Sequence, residues 1–125
     1  MSGSRYLLDT NAIVALLKGE VQLIQLLQSA DWVGIAIISQ VEFLAFVGLS
    51  QSDRKLFQQF LQRVEVVSLI ASDTGLIQRI IEIRQDYRLK LPDAMIAAMA
   101  VQSVASLVTR DREFAKVREL TIVNW

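Results

Sequence analysis

Runs of strand length alternate with runs of helix length from one end of this chain to the other, and few folds accept that alternation. Residues 33–38 set the pattern: Val-Gly-Ile-Ala-Ile-Ile is short, apolar throughout and rich in β-branched side chains. A strand covered on both faces reads this way, because every side chain meets apolar neighbours whichever way it points. Further strand-like runs occupy residues 5–8, 65–70, 107–108 and 121–123. Helical patterns lie between them. Residues 11–18 stop before Gly19, a C-cap signal, and residues 21–30 set Val21, Leu23, Ile24, Leu26 and Leu27 against Gln22, Gln25 and Gln28. Ser39 opens a helix to about residue 49, and Ser52 or Asp53 opens another to residue 63 with Leu56, Phe57, Phe60 and Leu61 inward. Ser72 caps a long helix to Tyr87, Pro92 suits the first turn of a helix reaching Ser103, and residues 111–117 form a short helix. Strands alternating with helices across short connections predict an α/β domain, with a mostly parallel sheet and helices on both faces. The 125 residues contain no repeat, low-complexity stretch or linker, so residues 1–125 read as one domain.

The chain has neither cysteine nor histidine. Thiol catalysis, Ser-His-Asp machinery, a histidine acid or base and the usual zinc sites are all excluded. Hydrolytic chemistry would have to rest on carboxylates, hydroxyls, lysine or metal-bound water, and oxygen-only ligands select Mg²⁺ or Mn²⁺. Without cysteine a cytoplasmic address is the default. Residues 1–4, Met-Ser-Gly-Ser, lack the basic region and apolar stretch of a signal peptide, and are expected to be a short disordered lead. No apolar run reaches the ~18 residues of a membrane helix. Net charge is +0, unlike a generic polyanion binder. Local basic clusters exist nonetheless: Arg110, Arg112, Lys116 and Arg118, and separately Arg84, Arg88 and Lys90.

Four acids occupy costly positions. Asp9, Glu42 and Asp93 are embedded in apolar runs (Leu7-Leu8-Asp9, Val41-Glu42-Phe43-Leu44, Leu91-Pro92-Asp93-Ala94), and Asp111 follows Leu107-Val108 closely. Each has a local explanation: Asp9 as a helix cap, Ser39 with Glu42 as a capping box, Asp93 as a first-turn acid, Asp111 as a turn residue. Together they suggest more. Ligands of open parallel sheets collect outside the carboxyl ends of the strands, and all four acids can point to that edge. Two like charges at ~4 Å repel by about 4 kcal/mol at an effective dielectric of about 20. Several such pairs would approach the whole stability of a small domain, ~5–15 kcal/mol, so a divalent cation is expected among them.

These segments, with Leu7-Leu8-Asp9-Thr10-Asn11, Ser39-Gln40-Val41-Glu42, Leu91-Pro92-Asp93-Ala94 and Val108-Thr109-Arg110-Asp111-Arg112-Glu113-Phe114 in this order, resemble a PIN-domain ribonuclease, in particular the toxin subunit of VapBC-type pairs. The resemblance implies a three-layer α/β/α sandwich and an acidic pocket that holds Mg²⁺ or Mn²⁺ and hydrolyses RNA phosphodiester bonds. It makes Asp9, Glu42, Asp93 and Asp111 the metal-binding and catalytic acids, with Thr10, Asn11 and Thr109 supporting. Glu113 competes with Asp111 for the fourth position, and Asp111 is preferred. Arg110, Arg112 and Lys116 become candidate RNA contacts. The resemblance also implies a small antitoxin partner, accepted by a groove in the helix pair that carries Phe43, Phe46, Phe57 and Phe60, and a homodimer.

Two other readings differ in class. A PIN-like domain could bind RNA or protein without cutting, although the full set of acids argues against it. A phosphatase or phospho-acceptor fold needs a pocket lysine after a late strand, and none of Lys18, Lys55, Lys90 or Lys116 holds that place.

Overall fold

The computed structural model describes residues 4–125, so Met1, Ser2 and Gly3 of the expected lead lie outside the described residues. Ser4 is tied down: its N–H donates to Asp31 Oδ2 at 2.9 Å and its hydroxyl to the Ser29 carbonyl at 3.2 Å. The chain then runs β1 (Arg5–Leu8), α1 (Thr10–Leu17), α2 (Val21–Gln28), β2 (Trp32–Ala36), α3 (Ile37–Leu44), α4 (Gln51–Leu61), β3 (Glu65–Val67), α5 (Thr74–Tyr87), α6 (Leu91–Gln102), β4 (Ser106–Val108), a 3-10 turn (Arg112–Lys116) and β5 (Ile122–Val123). The five strands form one sheet, ordered β3-β2-β1-β4-β5 and parallel throughout.

Register divides the core. Leu7 lies opposite Gly34 and Leu107, and Leu8 lies opposite Ile35 and Val108. Successive strand residues face opposite ways, so Leu7 and Leu107 pack under α5 and α6, while Leu8, Ile35 and Val108 pack with Ile13, Leu23, Phe43 and Phe57. That is the three-layer sandwich. Helix α6 is buried along much of its length (Ala94, Ile96, Ala97, Ala98, Met99, Ala100), and its small side chains let it lie close to the sheet. Gly34 answers a similar need: a Cβ there would stand 2.2 Å from the Trp32 indole that lies across the strand.

The apolar run at 33–38 is not all strand. β2 ends at Ala36, and Ile37 and Ile38 form the first turn of α3, packed against the α5–α6 side of the core. A buried helix turn and a buried strand look alike in sequence, because both are apolar without period. Ser39 therefore lies inside α3, whose N-cap is Ala36 with no side-chain cap, and the expected Ser39–Glu42 capping box does not form. A capping box does form at Ser50 and Asp53, which starts α4 at Gln51 rather than at residue 52 or 53. Asp73, not Ser72, caps α5 through the Leu76 N–H at 3.1 Å. α3 stops at Leu44, and Gly48, at φ +88°, turns the chain before α4. β3 is only Glu65–Val67: as the edge strand it has one neighbour, and Leu69 and Ile70 beyond it are exposed.

Candidate active site

β1 and β4 are neighbours at the point where the strand order reverses, since β2 and β3 lie to one side of β1 and β4 and β5 to the other. Loops leaving such a pair diverge and open a crevice at the carboxyl edge. Asp9 stands there as the N-cap of α1, 4% exposed. Its Oδ1 accepts from the Ala12 N–H at 2.7 Å and its Oδ2 from the Thr109 hydroxyl at 2.5 Å, while its own N–H donates to the Val108 carbonyl at 3.2 Å. The cap explanation and the site explanation hold together: one carboxylate starts the helix and faces the crevice.

Thr109 links two acids, because its oxygen also accepts from the Asp111 N–H at 2.9 Å. Asp111 in turn caps the 3-10 turn, with Oδ1 accepting from the Glu113 N–H at 2.9 Å. Glu42 comes from beyond the first turn of α3, so the helix N-terminus does not cushion it as expected. It is held by Thr10 instead, whose hydroxyl lies 2.6 Å from Glu42 Oε1 and 3.0 Å from Ser39 Oγ. A hydroxyl has one proton to give; with the carboxylate taking it, fully buried Ser39 donates to Thr10 and braces it. Asp93 follows Pro92 in the first turn of α6.

These acids share one cavity of about 190 Å³, lined by Asp9, Thr10, Asn11, Glu42, Asp93, Ile96, Asp111 and Phe114. Among the described residues no lysine or arginine lines it. Burial pushes the Asp9 carboxyl above its ordinary range against the hydrogen bonds from Thr109 and Ala12, and Asp111 and Asp93 push it further. Burial likewise raises Asp93, with Asp111 and Glu42 adding to it and Lys90 opposing. The donor set is wholly oxygen, which suits a hard cation. Among the described residues no three acids are already drawn together as a metal cage. Magnesium does not require one, since it keeps several waters and commonly takes one or two carboxylates. The residues fit a hydrated hard cation.

The remaining candidates lie outside the cavity lining. Glu113 pairs with Lys116 at 2.7 Å, and Arg112 is exposed. Arg110 turns towards Trp125, donating from Nε and a terminal nitrogen to its main-chain oxygen at 3.0 and 2.5 Å. Sequence reasoning missed Ser39, taken as a cap, and the apolar wall of Ile96 and Phe114. Ser39 and Glu42, three apart, share a helix face once α3 is known to start at Ile37.

A larger concavity, about 440 Å³, lies elsewhere between α1, α2 and α4, lined by Leu16, Leu17, Ile24, Leu27, Leu56 and Phe60 among others. Of the four phenylalanines carried by the α3–α4 helix pair and its connection, only Phe60 lines this one. Phe43 and Phe57 are buried and stacked with centroids 4.2 Å apart, and Phe46 is exposed. This concavity lies between α4 and the first two helices, apart from the contact of α3 with α4.

Several solved structures are similar over nearly the whole chain. VapBC2 from Rickettsia felis, bound to a DNA fragment from their promoter, is 25% identical, covering 97% of this chain and 98% of that one at a TM-score of 0.81. A toxin–antitoxin complex from Klebsiella pneumoniae is 27% identical, covering 93% and 95% at a TM-score of 0.76. VapBC-1 from nontypeable Haemophilus influenzae, at 21% identity, 97% and 98% coverage and a TM-score of 0.78, shares the fold. Among curated proteins none matches the chain. Residues 6–120 match the PIN domain, and with its parallel sheet and gathered acids the chain belongs to that family.

Proposed function

We propose that this chain is a Mg²⁺- or Mn²⁺-dependent endoribonuclease that hydrolyses RNA phosphodiester bonds, and that it is the toxin of a toxin–antitoxin pair acting in the cytoplasm. The observation that carries the reading is the approach of Asp9, Glu42, Asp93 and Asp111, from four separate segments, to one cavity without a cationic side chain in its lining. In this reading the four acids would hold a hydrated cation, some of them through its water shell, and it would supply charge neutralisation and an activated water nucleophile. The chain's own groups do the rest. Thr109 and the Ala12 N–H fix both oxygens of Asp9, and Thr10 fixes Glu42. Asp93 borders the cavity and accepts no hydrogen bond among the described residues, which leaves its carboxylate free to take the proton of the attacking water. Ile96 and Phe114 wall the cavity with apolar surface, which strengthens charge interactions beside it. Arg112 and Lys116, exposed nearby, contact flanking phosphates. With water as nucleophile, the RNA 2′-hydroxyl need not attack.

The partner reading is supported by the complexes from Rickettsia felis and Klebsiella pneumoniae, and by the apolar groove, which suits an amphipathic antitoxin segment. Val41, Phe46 and Val47, exposed apolar side chains at and beyond the end of α3, suit a homodimer contact. The test is incubation of the purified chain with total RNA in Mg²⁺, Mn²⁺ or chelator, beside Asp9→Asn and Asp93→Asn. Cleavage that needs the metal and both acids is expected. RNA bound but uncut in either metal would point instead to a non-cleaving PIN-like binding domain.

A further inference from the structure

Trp125 lies two residues past β5, well beyond all four cavity acids in sequence, yet it reaches the corner that carries Asp111. Its main-chain oxygen accepts from two nitrogens of the Arg110 guanidinium, and the same guanidinium lies over its indole, Cζ 4.5 Å from the ring centroid. The ring packs against the cluster built on Leu8, Ile35 and Val108, so it is anchored to the body of the protein. One residue before Arg110, the Thr109 N–H donates to the Val123 carbonyl at 3.1 Å. Thr109 is the residue whose hydroxyl donates to Asp9 and accepts from the Asp111 N–H.

We propose that Trp125 and Arg110 form a latch that positions the Thr109–Asp111 corner, making both of them positioning residues for the acidic cavity and Arg110 a structural group rather than an RNA contact. The physical need is plain. β4 and β5 share only two register pairs, Leu107 with Ile122 and Val108 with Val123. Such a short edge pairing is weak by itself, and the corner beyond it carries a carboxylate whose neighbours repel it. A planar fork bound at two points, stacked on an anchored ring, fixes orientation in a way a lysine cannot. Arg110 is exposed and would be available to phosphate only by giving up three contacts.

The metal consequence rests on the acidic-pocket reading, so the experiment has one arm that needs a metal and one that does not. Amide hydrogen exchange in metal-free buffer compares the parent with Trp125→Ala, Trp125→Phe and Arg110→Lys. Faster exchange at Thr109 and Asp111 is expected in Trp125→Ala and Arg110→Lys, with protection of Ala97 to Ala100 in α6 unchanged and Trp125→Phe intermediate. Calorimetric titration with Mn²⁺ alone should then show affinity weakened by about 10-fold in the same two variants, the scale typical of groups that orient ligands. Unchanged exchange at Thr109 and Asp111 would overturn the latch. So would intact Mn²⁺ binding in Arg110→Lys together with a raised KM for RNA, which would return Arg110 to phosphate. A parent that binds no Mn²⁺ would sink the pocket reading, while the exchange arm would still decide the latch.

Discussion

Helix α1 serves two concavities of opposite chemistry. Its start, with Asp9, Thr10 and Asn11, lines the acidic cavity, and its end, with Leu16 and Leu17, lines the apolar groove. The cavity is small and held by directed bonds: Asp9 to Thr109 and Ala12, Glu42 to Thr10, Asp111 to Glu113. The groove has more than twice the volume, about 440 against about 190 Å³, and is lined mainly by apolar side chains. Like charges with no cationic side chain in the lining make the first costly alone, and exposed apolar area makes the second so. Changes in the first should therefore act through charge and leave packing intact, and changes in the second should act through area and leave chemistry intact.

The largest separation is expected from the acids. Asp9→Asn and Asp93→Asn should each lower RNA cleavage by about 10²–10⁴-fold while circular dichroism and partner binding stay as in the parent. If either variant keeps full metal-dependent cleavage, the assignment of that acid is wrong. The reverse pattern is expected from the groove. Leu56→Asp or Phe60→Ala should weaken binding of a co-expressed antitoxin by about 2 kcal/mol, ~30-fold, with cleavage by the isolated chain unchanged. Equal loss of both would show that the two regions are not separable.

The third contrast is in pH. Asp9 and Asp93 both have carboxyls raised above the ordinary 3.8 in the folded chain. A raised acid holds its proton more tightly folded than unfolded, so its contribution favours folding below the unfolded pKa and is lost as pH rises through the folded one. In chelator, the melting temperature should therefore fall over that window as pH increases, and Asp9→Asn should flatten the fall. Mg²⁺ or Mn²⁺ should restore stability at neutral pH and do little in acid, where protons compete. A melting temperature insensitive to metal at neutral pH would sever the link between the raised acids and a cation. No such dependence is expected from groove variants.

The smallest effects belong to positions remote from both regions. Ser50→Ala removes the cap of α4 and should cost about 1 kcal/mol in denaturant unfolding without altering cleavage. Val104, a β-branched residue at φ +53° in the turn between α6 and β4, should gain about 0.5–1 kcal/mol on replacement by glycine. A larger change in cleavage from either would mean that the cavity responds to global stability and not to its own charges.

The alternation of elements and the capping acids were legible because they are local. Gly19 ends α1 at φ +90°, Pro92 sits in the first turn of α6, and Asp9 follows β1 directly. Boundaries in apolar stretches were not. Ile37 and Ile38 read as strand because burial on all sides erases the period that separates helix from strand. That error displaced Ser39 from brace to cap and Glu42 from mid-helix to first turn. Arg110 shows a related limit: a basic residue beside an acidic motif suggests phosphate, and nothing near it in the chain announces its contact with Trp125.

Local chemistry by itself determined that neither cysteine nor histidine was present, that oxygen would be the donor atom of the cavity acids, and that strands and helices would alternate. Those properties need only composition and short-range pattern. The tertiary structure alone decided that β4 lies beside β1, that Thr109 bridges Asp9 and Asp111, that Thr10 reaches Glu42 from another helix, and that the groove lies between α1, α2 and α4. Each is a contact between segments far apart in sequence, selected by how the whole core packs, and no short stretch of chain carries that information.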